Sequence, residues 1–179
     1  MMDPTPILAK EDIARFIETL AASIRQQCTA TDLALVGIHK RGVPLAERLH
    51  ALLKPHYANL RIGRVDISLY RDDLRYLHTM PKLVGSDIPF DLDGMHVILV
   101  DEVLYTGRTA RAALEELLEY GRPAKVEFAA MIDRGGRQLP IEPKFVGTTL
   151  DVPEGMRVSV RFVEVDGEDA VYVREGTRR

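Results

Sequence analysis

Two adjacent carboxylates, Asp101 and Glu102, directly follow an apolar run and come shortly before the small polar turn Thr106-Gly107-Arg108-Thr109. The turn opens an Ala/Leu-rich stretch that we predict to be a helix. The first N–H groups of a helix have no partner within it, and the helix dipole is positive there. A glycine and small hydroxyl side chains let a phosphate approach such a backbone. Ordinary capping by Thr106 or Thr109 is the alternative explanation of the same residues.

The two acids need a partner of their own, because negative charge beside a phosphate site disfavours simple anion binding. Each carboxylate can accept a hydrogen bond from one hydroxyl of a vicinal diol, and a divalent cation could also be held nearby. A ribose 5-phosphate meets both demands, with its phosphate in the turn and its two hydroxyls at the acids. A plain metal site or a solvated strand end is the alternative. The chain has no GxxxxGK[ST] pattern, which argues against a Walker-type nucleotide loop.

Two further polar segments also follow predicted strands: HKRG at 39–42 and DRGGRQ at 133–138. The carboxyl ends of parallel strands meet at one edge of a doubly wound sheet, so all three segments are expected to form one crevice. Residues 70–89 carry charges, aromatics and prolines without a regular period and are predicted to be a functional lid loop. A disordered insertion or a hairpin arm is the alternative for this stretch.

The elements that position these segments follow from apolar periodicity. Helices are predicted over Lys10–Gln27, over a stretch that has Pro44 near its start and stops before Pro55, and over Thr109–Tyr120. Strands are predicted over Leu33–Ile38, Ile62–Tyr70, His96–Val100 and Val126–Ile132, with further strands over Arg157–Val165 and Ala170–Arg174. The pattern predicts an α/β fold, an open and mostly parallel sheet with helices on both faces. Beyond Pro143 no helix is expected, and the β-rich tail (143–179) must pair at a sheet edge or form a small extra sheet.

Composition limits the number of domains and the classes of partner that the protein can have. A chain of 179 residues with 46% hydrophobic content is consistent with one domain spanning 1–179. The formal charge of −3 provides no global basic field, so any nucleic-acid binding needs a local patch. The single cysteine, Cys28, is interpreted as a small apolar residue rather than a nucleophile. The chain starts without a signal-like segment and has no apolar run near ~20 residues, so we expect a cytoplasmic protein without a membrane partner.

The stretch DEVLYTGRT (101–109) resembles the phosphoribosyl-pyrophosphate (PRPP) signature of type I phosphoribosyltransferases. The similarity is closest to the PyrR family, which combines pyrimidine-operon attenuation with uracil phosphoribosyltransferase activity. Matching stretches run from about residue 35 to 141 and include LVGIHKRG, DISLYRDDL, GSDIPFDL, YGRPAKV and IDRGGRQLPI. Two positions depart from the family pattern. Glu102 stands where the family usually has a second aspartate, and Gly136 stands where it usually has a histidine.

The resemblance implies a type I phosphoribosyltransferase fold with a small hood, and the reaction of uracil with PRPP to give UMP and pyrophosphate. Mg²⁺ would be the cofactor, held through PRPP, with Asp101 and Glu102 as candidate ligands. The implied ribose-phosphate site comprises Asp101, Glu102, Val103, Leu104, Tyr105, Thr106, Gly107, Arg108 and Thr109. The implied pyrophosphate loop is Lys40, Arg41 and Gly42, the lid carries Arg71 and Asp72, and the base pocket comprises Ile132, Asp133 and Arg134.

Tyr105 bears on the class of base. In 6-oxopurine transferases an aspartate precedes the Thr-Gly of this signature and deals with a proton on the purine ring. A phenol with a pKa near ~10 is a poor general base at neutral pH, so the residue argues for a pyrimidine.

The resemblance also implies a homo-oligomer that binds pyrimidine-operon leader RNA in a UMP-dependent way. The candidate RNA contacts are Arg15, Arg25, Arg137 and Lys144. Acidic residues on the first helix reduce the local positive charge there. His39, His78 and His96 lack the spacing of metal ligands and are interpreted as structural or surface residues. Two other functions stay open. The chain could be an attenuator that uses PRPP and UMP only as effectors, or a phosphoribosyltransferase for another base.

Overall fold

The structure is a computed structural model that describes residues 5–68 and 85–176. The predicted lid residues Arg71 and Asp72, with His78, lie outside the described residues. Within the described part of the chain, no helix combines the length and apolar character needed to cross a membrane.

A five-stranded parallel sheet forms the centre of the molecule, with strand order β2-β1-β3-β4-β5. Its strands are β1 (Asp32–Ile38), β2 (Asn59–Val65), β3 (His96–Leu104), β4 (Lys125–Asp133) and β5 (Phe145–Thr149). The main helices are α1 (Lys10–Gln27), α2 (Gly42–Leu53) and α3 (Arg108–Leu118). This is the predicted doubly wound architecture, and it places the carboxyl ends of β1, β3 and β4 along one edge.

The central strands are nearly continuous apolar runs because both faces of the sheet are covered. Alternate residues of β1 serve the two faces. Leu33 and Leu35 belong to the core that includes α1 and α2. Ala34 and Val36 belong to the core that includes α3. The prediction of helices on both faces is confirmed.

The boundaries predicted for two strands of the main sheet were wrong. The second strand was predicted over Ile62–Tyr70, but β2 pairs residue by residue with β1 from Asn59 and ends with it at Val65. The third strand was predicted to stop at Val100. It continues to Leu104 because β4 pairs with it up to Asp133. The two acids are therefore inside a strand and not after it.

The tail divides between the two arrangements that the sequence allowed. β5 joins the edge of the main sheet beside β4, while β6 (Met156–Arg161) and β7 (Ala170–Glu175) form a separate antiparallel pair. The strand predicted to run to Val165 ends at Arg161, and a one-turn helix, α4 (Val163–Asp166), follows. The expectation that no helix occurs beyond Pro143 was wrong. A side-chain oxygen of Asp166 accepts the N–H of Phe162 at 3.1 Å, which favours this turn locally.

We call β6, α4 and β7 (residues 156–175) the hood. Several contacts attach it to the rest of the chain, and its residues Val160, Phe162 and Val171 are buried in the core that includes α1 and α2. The N-terminal segment pairs with β7 through an antiparallel bridge between Leu8 and Val171. On α2, the guanidinium of Arg48 lies 5.0 Å from the ring centroid of Phe162 and pairs with two hood carboxylates, those of Glu164 and Asp169. Together these contacts hold the hood over the α2 side of the molecule.

A half-buried polar cluster lies at the opposite end of the sheet from the crevice. The Sγ of Cys28 is 3.4 Å from Nδ1 of His96, and Nε2 of that ring is 2.8 Å from a carboxylate oxygen of Glu127. Cys28 is only 4% exposed and belongs to the core, as its interpretation as a small apolar residue implied. The contacts of His96 with Cys28 and Glu127 are consistent with its interpretation as a structural or surface residue.

Candidate active site at the carboxyl edge of the sheet

A cleft of about 1110 Å³ lies between the carboxyl ends of β1 and β3 and the inner side of the hood. Loop 39–41 and most of 101–109 form the sheet wall, whereas Met156, Arg157, Ser159 and Arg174 belong to the hood wall. The hood wall was not foreseen from the sequence. Its residues alternate as in any small antiparallel sheet, so nothing in their pattern marks them as ligands.

Asp101 and Glu102 occupy unequal environments. Asp101 is 6% exposed and Glu102 is half-buried. Burial and the neighbouring charge of Glu102 raise the pKa of Asp101 well above its ordinary value. The alternative of a solvated strand end therefore does not hold for Asp101. A hydroxyl donor or a cation at this position would favour its ionised form, so the carboxyl is suited to a ligand that brings positive charge or hydrogen-bond donors.

The turn before α3 leaves its helix end open. The N-cap residue is Gly107, which has φ of 88° and no side chain to cap with. The hydroxyl of Thr106 accepts the N–H of Arg108 at 3.3 Å, and the carbonyl of Thr106 accepts the N–H groups of Gln138 and Leu139 at 3.0 Å. Thr109 therefore does not cap α3, whereas the hydroxyl of Thr106 occupies the N–H of its first residue, Arg108. The turn is held from behind by residues 138–139, and the N-terminal N–H groups of α3 suit an anion.

Not all the residues assigned to the ribose-phosphate site line the cleft. Leu104 is 2% exposed and packs in the core beneath α3. Gly107 is buried and shapes the turn. The remaining assigned residues between Asp101 and Thr109 are among the cleft-lining residues.

Loop 39–42 is held closely against the sheet. The N–H of His39 donates to the carbonyl of Val65 at 2.9 Å, and the peptide bond from His39 to Lys40 is cis. A Cβ at Gly42 would lie 2.4 Å from the carbonyl oxygen of Val100, one residue before the acids. Only glycine allows this approach, so Gly42 supports the loop from behind while Lys40 and Arg41 line the cleft.

The third segment, DRGGRQ, lies at the same edge but behind the cleft. Ile132 is fully buried in the core, and none of Ile132, Asp133 and Arg134 is among the described residues that line the cleft. Arg134 reaches towards it. Its guanidinium lies 3.9 Å from the ring centroid of Tyr105, and its Nη1 donates to the carbonyl of Met156 in the hood at 3.0 Å.

Gly136 occupies the position where the resembled family usually has histidine. Its φ is +74°, and a Cβ there would lie 2.4 Å from Cε2 of Tyr105. With the tyrosine ring in this place, any side chain at 136 would collide with it. The same contact explains how Tyr105, which is 41% exposed, keeps its orientation between Arg134 and the 135–136 backbone.

Arg137 is tied into the protein. Its guanidinium donates to Asp133 at 2.7 Å, to the carbonyl of Ile141 at 2.9 Å and to the carbonyl of Tyr105 at 3.0 Å. Although burial opposes ionisation of Asp133, the Arg137 partner and the N–H of Gly135 lower its pKa. The side chain of Arg137 is 15% exposed and its charge is paired with Asp133. Little of that charge is therefore available to an external phosphate.

The other candidate RNA contacts lie on the surface. Arg15, Arg25 and Lys144 are all exposed. Arg15 pairs with Asp12 at 2.6 Å. Arg25 has a nitrogen 3.1 Å from the ring nitrogen Nε2 of His56.

The fit of Mg²⁺ can be judged from the donor set. Hard carboxylate oxygens suit this ion, and Asp101 and Glu102 supply them side by side. Among residues 5–68 and 85–176, no group of three or more His, Cys, Asp or Glu side chains could hold a metal by itself. The residues present therefore fit an ion that keeps its waters and takes most of its ligands from a phosphate-bearing substrate, as Mg²⁺ does.

A model of the phosphoribosyl transferase domain matches residues 5–161, so the fold and this cleft define a phosphoribosyl transferase domain. Two relatives are proteins named bifunctional protein PyrR. The one from Akkermansia muciniphila is 46% identical, over 93% of this chain and 94% of its own length. The one from Thermus thermophilus is 44% identical, over 92% of this chain and 93% of its own. The chain belongs to the PyrR family of phosphoribosyl transferases.

Solved structures agree on the fold. The hypoxanthine phosphoribosyltransferase of Trypanosoma cruzi superposes with a TM-score of 0.69 over 96% of this chain and 97% of its own, at 16% identity. That of Staphylococcus aureus gives 0.63 over 84% and 78%, at 23% identity. At these identities the likeness concerns the fold and not the base.

Proposed function

We propose that this protein is a uracil phosphoribosyltransferase that converts uracil and PRPP to UMP and pyrophosphate, and that it also regulates transcription by binding leader RNA. The observation that carries the enzymatic proposal is the placement of Asp101 and Glu102 directly before the open N-terminus of α3, in one wall of one cleft. A diol-binding pair and an anion site in the same wall suit a ribose that carries a 5′-phosphate. Membership of the family supports phosphoribosyl transfer.

Each part of the sheet wall has a role in the proposed reaction. The two acids accept hydrogen bonds from the ribose hydroxyls, and the N–H groups of the 106–109 turn receive the 5′-phosphate. Loop 39–42 offers N–H groups and Lys40 to the diphosphate. During transfer, the bond from the ribose C1 to the diphosphate oxygen breaks, and the electron pair leaves with the diphosphate. The pyrimidine N1 forms the new bond and loses its proton.

Charge stabilisation on the leaving group accounts for most of the proposed catalysis, because the ribose becomes cationic in the transition state. Bound Mg²⁺ would supply further charge neutralisation at the diphosphate. Tyr105 supports specificity for uracil, because it stands where a purine-specific site would have an acidic residue. Arg134 holds this ring by stacking on it, so the 133–134 segment is proposed to shape the base pocket through Tyr105 and the hood carbonyl of Met156.

Leader-RNA binding is the second proposed function. The names of the relatives, bifunctional protein PyrR, support it, as do the exposed cations Arg15, Arg25 and Lys144. We also propose a homo-oligomer, because Leu114 and Leu118 leave apolar surface exposed on α3. Association of subunits could gather these few cations into a shared patch. We propose that the protein acts in the cytoplasm.

One assay tests the enzymatic proposal. The protein is mixed with PRPP, Mg²⁺ and each nucleobase in turn, and mononucleotide is measured. UMP should form with uracil, whereas hypoxanthine and guanine should give no nucleotide. A filter-binding titration with a pyrimidine-operon leader hairpin, with and without UMP at low salt, tests the second function. RNA binding without any UMP formation would leave a regulator that uses PRPP and UMP as effectors. UMP formation without binding below ~10 µM RNA, a non-specific level, would leave an enzyme only.

A further inference from the structure

An ion pair joins the proposed pyrophosphate loop to the hood. Arg41 in loop 39–42 and Asp166 in α4 are 125 positions apart, yet Nε of the arginine donates to Oδ2 at 2.9 Å and Nη2 donates to Oδ1 at 2.7 Å. Two parallel N–H···O bonds fix both the distance and the orientation of a guanidinium. The pair therefore sets the position of Arg41 more strictly than a single contact would.

Each partner of this ion pair stabilises the charge of the other. The hydrogen bonds from Arg41 lower the pKa of Asp166 against the opposing effect of burial, with the N–H of Phe162 and the charge of Lys40 acting in the same direction. The hydrogen bond to Asp166 raises the pKa of Arg41. Both partners are thus ionised at neutral pH and neutralise each other. Arg41 has its charge already satisfied before any ligand arrives.

The geometry of loop 39–42 then has three supports. Its first residue is bonded to β2 through His39, its last residue presses on β3 through Gly42, and its middle is tied to the hood through Arg41. The first two supports are backbone contacts inside the sheet wall. Asp166 supplies the third support, from the hood.

We propose that Asp166 is a positioning residue for the diphosphate half of PRPP. By holding Arg41, it keeps the backbone of loop 39–42 in the shape that receives the diphosphate, and Arg41 itself is a structural support and not a diphosphate ligand. This inference rests on the proposed function. Its distinctive consequence is selectivity among ligands, because PRPP carries the diphosphate and UMP does not.

A matched control lies two residues away in the same short helix. Glu164 is also a carboxylate of α4, and it also forms two hydrogen bonds with an arginine, at 2.8 and 2.7 Å. Its partner is Arg48 on α2, which is not among the described cleft-lining residues. Glu164→Gln therefore removes the same charge from the same hood helix without touching loop 39–42.

The experiment compares Asp166→Asn and Glu164→Gln with the wild-type full chain. The asparagine keeps an oxygen that can accept the N–H of Phe162, so α4 retains its local bond. Steady-state kinetics give KM for PRPP and for uracil, calorimetry gives UMP binding, and thermal unfolding reports stability. Asp166→Asn should raise KM for PRPP about tenfold while KM for uracil and UMP affinity stay within about twofold. Glu164→Gln should leave all three within about twofold.

Two further variants sharpen the assignment. Asp166→Glu retains a carboxylate and should recover part of the lost PRPP affinity. Arg41→Ala should resemble Asp166→Asn, and the double variant should be no worse than either single one, because both remove the same support.

Several results would overturn the proposal. A lower KM for PRPP in Asp166→Asn would mean that Arg41 is a diphosphate ligand that Asp166 holds back. Equal loss of PRPP and UMP binding, or an equal effect of Glu164→Gln, would reduce Asp166 to general docking of the hood. An unchanged KM for PRPP would remove any role in positioning. If the wild-type protein transfers nothing to uracil, the proposed function fails separately, and calorimetric binding of PRPP against UMP still decides the role of Asp166.

Discussion

The two walls of the cleft are built by different forces. On the sheet wall, Asp101 and the 106–109 turn continue directly from β3 and α3, whose apolar residues are buried on both faces of the sheet. On the hood wall, Val160, Phe162 and Val171 are also buried in the core that includes α1 and α2. Ion pairs of Arg48 and Arg41 with hood carboxylates add to this burial. The comparison teaches that burial alone holds the sheet wall, while the hood is held by burial together with ion pairs. Changes in charge should therefore move the hood first.

The largest effect is expected from the sheet wall. The double change Asp101→Asn and Glu102→Gln should lower kcat/KM for PRPP at least about 100-fold, because both diol acceptors lose their charge. Stability should be retained, since burial and the charge of Glu102 raise the pKa of Asp101 and so oppose its ionisation in the fold, and asparagine matches the carboxyl in size. Kinetics and thermal unfolding, measured together, check this. Normal turnover of PRPP by the double variant would show that the acids do not hold the ribose.

The next effect concerns the hood. Arg48→Met keeps the stem over Phe162 but leaves Asp169, whose side chain is 8% exposed, without its cation. We expect a loss of about 3 kcal/mol in the free energy of unfolding, with faster hydrogen exchange in β6 and β7 than in the main sheet. Urea denaturation and exchange mass spectrometry measure the two quantities. Arg111→Ala, which removes an exposed pair with Glu115, is the control and should cost less than ~1 kcal/mol. Uniform exchange across both walls would contradict their separate origins.

A smaller effect is expected behind the sheet wall, at the two adjacent glycines. Gly135 and Gly136 both have positive φ, of 67° and 74°, but only a Cβ at 136 meets Tyr105. Alanine at either position should cost ~1 kcal/mol from the backbone conformation, and Gly136→Ala should cost ~1 kcal/mol more from the collision. Chemical denaturation of both variants isolates the difference. Equal losses would show that the tyrosine ring moves aside freely.

The smallest effect is the response of the hood to acid. The arginine partners lower the pKa of Asp166, of Glu164 and, against the effect of burial, of Asp169. Carboxylates with a lowered folded pKa stabilise the fold above the unfolded value, near ~4, and lose that contribution as pH falls through the folded value. The free energy of unfolding of the wild type should therefore fall more between pH 6 and pH 3 than that of Arg48→Met, by ~1 kcal/mol or less, as measured by urea denaturation at each pH. Asp101 acts in the opposite direction and is common to both proteins. Parallel pH profiles would mean that these ion pairs do not hold the hood.

Local pattern was sufficient for the sheet wall. The apolar runs predicted β1, β3 and β4, and the polar residues after them predicted a shared edge, which the parallel register then brought together. The same reasoning failed where long-range pairing decides the outcome. The length of β3 depends on its partner β4, and that extra length changes Asp101 from a solvated acid into a buried one.

By itself the sequence determined the doubly wound class and the family, and it predicted the diol-and-phosphate chemistry of 101–109. Periodicity and short motifs act over a few residues, and a strand followed by a turn and a helix positions its own side chains. Only the tertiary structure decided that the hood closes the cleft, that Arg41 is paired with Asp166, and that Tyr105 requires glycine at 136. Those contacts join residues that are far apart in the chain and carry no periodic signal. The partner of a charged or aromatic side chain is determined only when the fold brings the two residues together.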